Sequence, residues 1–212
     1  MFRSILLVLL FVGAFSLRSH AQFGVQVGGA INAMKVVQGG ADVERGWRFA
    51  YNAGVLYRFR GRKFDVQPTL LYMPKGAIDN NSGTPYITGV SEIQKRLRYV
   101  QVAVPVIYRT SDGVRNYTYN LGLGPYLATL VGGQAVTVPL SKGDNVTTDL
   151  KTGFKDTDDV KPLDAGLTIY VTAKIRHISA GFSYDYGLYN VSPRPNETQR
   201  NRSFTLLANY MF

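Results

Sequence analysis

Residues 47–60 set Trp47, Phe49, Tyr51, Ala53, Val55, Tyr57 and Phe59 on one face, and Arg48, Ala50, Asn52, Gly54, Leu56, Arg58 and Arg60 on the other. Successive side chains of a strand point to opposite faces, so this period-two pattern predicts a strand with one apolar and one polar side. Rings at both ends of the apolar face, with arginines opposite, fit a strand that has lipid outside and a polar lumen inside. The same alternation predicts strands at residues 23–32, 64–73, 97–109, 117–129, 163–171, 178–187 and 202–212. Each is near the ~9–11 residues that a tilted transmembrane strand requires. Pro68 removes a ladder donor inside its strand, so a bulge is expected there. In the last stretch Phe204, Leu206, Ala208, Tyr210 and Phe212 share the apolar face, and Tyr210 and Phe212 are expected in a closing strand that seals the edge of the first.

The connections alternate in length. They are long after the first, third, fifth and seventh strands, and short at residues 61–63, 111–113 and 174–177. Outer-membrane barrels have short periplasmic turns and long extracellular loops, which puts both ends of the barrel chain on the periplasmic side. The predicted fold is therefore all-β, a transmembrane antiparallel up-and-down β-barrel of about eight strands in one domain, residues 22–212. Outward rings gather at the short-turn ends (Tyr57, Phe59, Phe64, Tyr108, Tyr117, Tyr119, Tyr210, Phe212) and the long-loop ends (Trp47, Phe49, Tyr72, Tyr186), as two interfacial girdles. A soluble ligand-binding barrel shares the strand count but lines its interior with apolar residues. Here the inward set is Gln, Asn, Thr, Ser, Asp, Arg and Gly.

Residues 1–21 read differently. Arg3 precedes an apolar run at residues 5–15, and Ser19-His20-Ala21 offers small residues where a signal peptidase cuts. The run falls short of the ~20 residues that span a bilayer, so a cleaved signal peptide is expected rather than an anchor. That implies export, and with the barrel it implies the outer membrane of a Gram-negative bacterium. The chain has no Cys, which excludes disulfides, thiol chemistry and a lipidated N-terminal cysteine. The 24 basic residues, less Arg3 and Arg18, against 14 acidic ones leave a net +8. Only Lys95-Arg96-Leu97-Arg98 is dense in positive charge, so nucleic acid is not an expected partner.

Several motifs resemble a known family. Gly24-Val25-Gln26-Val27-Gly28-Gly29, Gln67-Pro68-Thr69-Leu70-Leu71-Tyr72, Tyr99-Val100-Gln101-Val102-Ala103-Val104-Pro105, Leu121-Gly122-Leu123-Gly124-Pro125-Tyr126 and Tyr184-Asp185-Tyr186-Gly187 resemble the PorT-like outer-membrane β-barrels of Bacteroidetes-type bacteria. The resemblance covers essentially the whole chain after residue 21, and it marks strands and turns rather than catalytic groups. Two positions depart from the family pattern: Gln101, where relatives often carry a glutamate, and Leu207, where the terminal assembly pattern has a glycine. The resemblance implies insertion by a barrel-assembly machinery. It also implies, as an alternative to a free-standing barrel, an accessory role in a type IX-like secretion machinery with secretion-system or surface proteins as partners.

Candidate chemistry is sparse. A lipid-modifying enzyme is the disfavoured alternative: His177 is expected in a short turn, without the neighbours a nucleophilic triad needs, so no enzymatic activity, catalytic residue or cofactor is expected. Asp156-Thr157-Asp158-Asp159 lacks the spacing of a calcium loop, and no metal site is expected. Arg48, Arg58, Asp65, Gln67, Gln101, Arg109, Asp164 and Asp185 point inward and are expected to form a structural polar network in the lumen. A narrow barrel filled by such side chains reads as a plug, with a narrow ion pathway as the alternative. Lys95, Arg96 and Arg98 are the candidate contacts to lipopolysaccharide phosphates, with outer-membrane lipid as the general partner. The expected role is structural or binding, through long extracellular loops.

Overall fold

A computed structural model describes residues 22–43, 45–80, 90–112, 117–139 and 143–212. The expected signal peptide, residues 1–21, and most of the turn at 111–113 lie outside the described residues or their described side chains. The strands are β1 (Gln22–Gln38), β2 (Ala41–Val43), β3 (Arg48–Arg60), β4 (Phe64–Val66), β5 (Thr69–Asn80), β6 (Val90–Ala103), β7 (Val106–Asp112), β8 (Tyr117–Pro139), β9 (Val146–Asp149), β10 (Leu163–Ile175), β11 (Ile178–Gly187) and β12 (Glu197–Met211). Antiparallel pairing runs β1-β12-β11-β10-β8, then through β6 and β7, β5 and β4, to β3 and back to β1. Because β4 with β5 and β6 with β7 each make one wall position, the closed ring has eight staves.

Alternation decides which side chains meet which medium. Val25, Val27, Leu70, Val102, Leu121, Leu123, Ile169, Val171 and Leu206 are exposed on the outer wall, while Gln26, Asn52, Gln67, Gln101, Asn120, Thr168 and Asn209 are buried inside it. A continuous apolar wall of this extent would be an aggregation surface in water and is the normal contact surface in lipid. No helix among the described residues is long and apolar enough to cross a membrane.

Three sequence expectations change. First, the staves are longer than the alternation suggested, because ladders continue beyond the lipid-facing band. β1 runs to Gln38, β8 to Pro139, and β5 and β6 pair as far as Asn80↔Glu92. Much of the expected long loops is thus strand, and one short turn narrows to Arg176 and His177, with Arg176 at φ 53°.

Second, Pro68 interrupts its strand where a bulge was expected. It splits the stave into β4 and β5, and Pro105 splits the neighbouring stave into β6 and β7. Neither proline has an N–H to give, so the ladder is completed by irregular bonds. Gln67 N donates to Pro105 O at 3.0 Å, Tyr57 N to Pro68 O at 2.9 Å, and Val104 N to Pro125 O at 3.0 Å.

Third, the interior is not polar throughout. At the long-loop end Met34, Val36, Ala77, Leu97, Tyr99, Ala128 and Leu130 form an apolar cluster with Val160 and Val191 from the connections. Those connections are held over the mouth by backbone bonds from Leu130 N to Pro162 O (2.7 Å) and from Lys161 N to Val191 O (2.8 Å). Near the other end Ile107, Tyr170 and Leu207 form a smaller cluster.

Candidate functional site

The lumen charges lie in tiers. In the short-turn tier, Asp65 is fully buried and Arg109 Nε lies 2.9 Å from its carboxylate oxygens. Arg109 Nη2 also donates to Gly61 O at 2.7 Å, so the pair ties β4 and β7 to the turn at residues 61–63. Arg58 Nε donates to Gln67 Oε1 at 2.8 Å, with Nη2 on the same oxygen. Asn209 donates to both Tyr170 OH and Ser179 Oγ. A guanidinium held on an amide oxygen gains hydrogen bonds but no neutralising charge.

The middle tier contains Asp185, whose Oδ2 accepts from Gln101 Nε2 at 2.8 Å across the lumen. The departure at Gln101 therefore has a local meaning: a glutamate there would set two carboxylates face to face, whereas the amide donates to Asp185.

In the long-loop tier Lys75 Nζ lies 2.9 Å from Asp164 Oδ2, with side-chain exposures of 1% and 0%. Asn201 Nδ2 donates to the same oxygen at 3.0 Å, and Tyr126 OH lies 3.4 Å from both carboxylate oxygens. The ammonium also stands 4.2 Å from the Tyr126 ring centre and 5.6 Å from that of Tyr99. A buried pair withstands desolvation only when its remaining donors and acceptors are satisfied, and this one recruits β5, β10, β8 and β12 to do it. Lys75, Asn201 and the two tyrosines are absent from the expected network. Carrying the inward phase of Leu71 and Met73 one step further would have placed Lys75 inside.

Arg48 sits apart from this network. Its stave pairs with β5 only from Leu56↔Thr69 to Ala53↔Tyr72, and the next backbone link is the bridge Gly46↔Ile78. Arg48 lies in the interval and donates through Nη1 to Lys75 O at 3.2 Å. There it lines a groove of about 390 Å³ with Phe49, Tyr72, Arg96, Leu97 and Arg98, beside the lumen network rather than within it.

The expected basic cluster also divides. Arg96 and Arg98 are exposed on the outer face. Arg96 Nη2 donates to Gln94 Oε1 at 2.7 Å, and Arg98 lies across Gly132, where a Cβ would come within 2.7 Å of Nη2. Lys95 shares the inward phase of Leu97 and Tyr99 and is turned away from lipid. Its Nζ donates to Gln199 Oε1 at 3.1 Å and reaches Asp159 O at 3.5 Å. Lys95 lies above the lipid-facing band, and burial first, then the nearby Arg45 charge, lowers its pKa to about 8. The expectation that Lys95 meets lipopolysaccharide phosphates with the two arginines is overturned by this orientation.

At the closing seam, β12 pairs with β1 from Gly24↔Met211 to Gln38↔Glu197. Phe212 N donates to Phe23 O at 2.8 Å, and the two rings stack with centres 5.8 Å apart. Tyr210 meets Phe212 edge-on at 5.2 Å and lies 6.1 Å from His177. His177 Nδ1 is 2.9 Å from Met211 O, so the ring is engaged in tying the last turn to the last strand. In the acidic loop, Asp158 and Asp159 accept from the backbone amides of Lys155 and Lys151, a capping role rather than a cation cradle.

A membrane-crossing ring of eight antiparallel staves with a charged, side-chain-filled lumen defines an outer-membrane β-barrel. The chain belongs to the outer membrane protein beta-barrel domain family, whose model matches residues 15–192. No curated protein matches it in sequence. Among solved structures it is similar to the attachment invasion locus protein Ail of Yersinia pestis, solved with the heparin analogue sucrose octasulfate, at 13% identity over 91% of this chain and 99% of that one, TM-score 0.42. It is also similar to Neisserial surface protein A, at 15% identity over 91% and 99%, TM-score 0.44. A third is the Pseudomonas putida toluene transporter TodX, at 8% identity over 90% and 89%, TM-score 0.31.

Proposed function

We propose that this chain is a plugged, non-enzymatic outer-membrane barrel that acts as a binding or structural element through its extracellular long-loop end. The observation that carries the reading is the stacked closure of the lumen: the Lys75–Asp164 knot beneath the apolar cluster that includes Val160 and Val191. With such a lumen, function belongs to the rim and the outer face. There Arg96 and Arg98, joined by Arg48 across the groove, present guanidinium groups just above the aromatic Phe49 and Tyr72. Guanidinium forks beside interfacial rings suit the phosphate oxygens of lipopolysaccharide.

The narrower PorT-like resemblance, and with it an accessory role in secretion, is carried by the sequence motifs alone. Capture of the intact membrane complex tests it. For the main reading, the test is conductance of the purified barrel in planar bilayers. The expected result is no steady unitary current, and a stable ohmic channel would overturn the plug. Replacing Arg96 and Arg98 together with Ala is expected to weaken lipopolysaccharide binding about tenfold, as two charge-assisted contacts are lost. Unchanged binding would remove the phosphate site.

A further inference from the structure

Between the short-turn tier and the Lys75 knot lies a small chamber lined by Gln26, Asn52, Gln101, Thr168, Asp185 and Thr205, among others. It offers about 20 Å³ to the centre of a water-sized sphere, room for one or two small occupants. Its unpartnered polar atoms are mostly acceptors, with Asn52 Nδ2 the one amide nitrogen among them. Gln26 Oε1, Asn52 Oδ1, Gln101 Oε1 and Thr205 Oγ1 are all buried oxygens without a hydrogen-bond donor. Asp185 is 4% exposed, and no Lys, Arg or His among the described residues lies within ion-pair distance of it. The side-chain hydrogen bond that its carboxylate accepts comes from the neutral Gln101 amide.

Three cations flank the chamber, and each has a hydrogen-bonded partner. Above, Lys75 is spent on Asp164. Below, Arg58 is held by Gln67, and Arg109 pairs with Asp65. Lys75, Asp164 and Asp185 together leave one excess negative charge at the chamber, and the excess positive charge of Arg58 lies in the tier below, held on a neutral amide. A buried carboxylate in this position is costly unless it is neutralised. Water could donate to the orphan oxygens but would leave that charge uncompensated.

We propose that the chamber is a binding site for one monovalent alkali cation, Na⁺ or K⁺, held by the Asp185 carboxylate and by the neutral oxygens of Gln26, Asn52, Gln101 and Thr205. Four neutral oxygens and a single carboxylate match one positive charge. A calcium site gathers several carboxylates, and this chamber has one. A cation seated here joins β1, β3, β6, β11 and β12 at mid-height, between the upper knot and the lower tier. It stiffens the plug from within rather than passing through it.

The test uses the folded barrel in detergent. Crystals soaked in a thallium(I) salt should show an anomalous peak in the chamber beside Asp185. Thermal unfolding in NaCl or KCl should lie about 3–6 °C above that in N-methylglucamine chloride at the same ionic strength, for a cation near tenfold its dissociation constant. Asp185→Asn should abolish both effects. If that variant does not fold, Thr205→Val should fold and reduce the salt-specific shift. An empty chamber in the thallium map, equal midpoints in all three salts, or a shift that persists in Asp185→Asn would each overturn the proposal.

Discussion

Lys75 and Asp164 meet at 2.9 Å inside the long-loop end of the barrel although they stand 89 positions apart in sequence. Neither side chain has meaningful contact with solvent, and each is the charge partner of the other. Removing one charge leaves its partner buried and unmatched, whereas removing both leaves neither. Lys75→Met should therefore lower unfolding stability by about 3–5 kcal/mol. The double variant Lys75→Met/Asp164→Leu should recover most of that loss. Urea unfolding in detergent micelles measures both, and a double variant as unstable as the single one would refute the pairing as the source.

Gly76 follows Lys75 with φ 137°, a backbone conformation that side chains rarely adopt, and a Cβ there would stand 1.9 Å from Lys95 O. Gly76→Ala should cost about 1–3 kcal/mol through strain and should separate β5 from β6 locally. Faster amide exchange at Ala77 and Lys95, with the lipid-facing band unaffected, is the expected signature.

Lys95 gives a pH dependence with a definite sign. Its pKa is about 8 in the folded chain against 10.5 when free. Between those values the unfolded chain holds the extra proton, so stability rises with pH across about 8 to 10.5. Below pH 8 the amine is protonated in both states and the dependence vanishes. Lys95→Met should remove the rise, read as the pH profile of amide exchange in the outer ends of β6 and β12.

The Phe23–Phe212 stack ties the two ends of the barrel chain at the short-turn end. Phe212→Ala removes a ring pair worth about 0.5–1.5 kcal/mol beyond burial. The variant should insert more slowly into lipid vesicles than the parent, while its folding in detergent changes little. Equal insertion rates would exclude a role for this contact in assembly.

Much of the barrel was legible because lipid and lumen impose opposite demands on alternate residues. β11 was placed to the residue, and the closing pair of β1 and β12 followed from the apolar faces. The outer halves of β5, β6 and β8 were not legible, because above the lipid band both faces of a strand can be polar and alternation loses its contrast. That is why Lys75 passed for a loop residue and Lys95 for a surface one. Pro105 was read as part of an unbroken strand, since period-two phase survives a local break. Only pairing reveals that its neighbour Pro68 interrupts the adjacent stave at the same level.

That coincidence shapes how the wall yields. Along most of the circumference two neighbouring staves share an unbroken run of backbone bonds, so opening any one bond is opposed by its neighbours. Where Gln67 reaches Pro105, the bond is flanked on both staves by residues with no hydrogen to offer. The tube therefore carries a lengthwise fault, short and bounded by regular ladder above and below. Bending or ovalisation under lateral pressure of the bilayer should concentrate there and in the unpaired interval between β3 and β5, leaving the continuous seams nearly rigid.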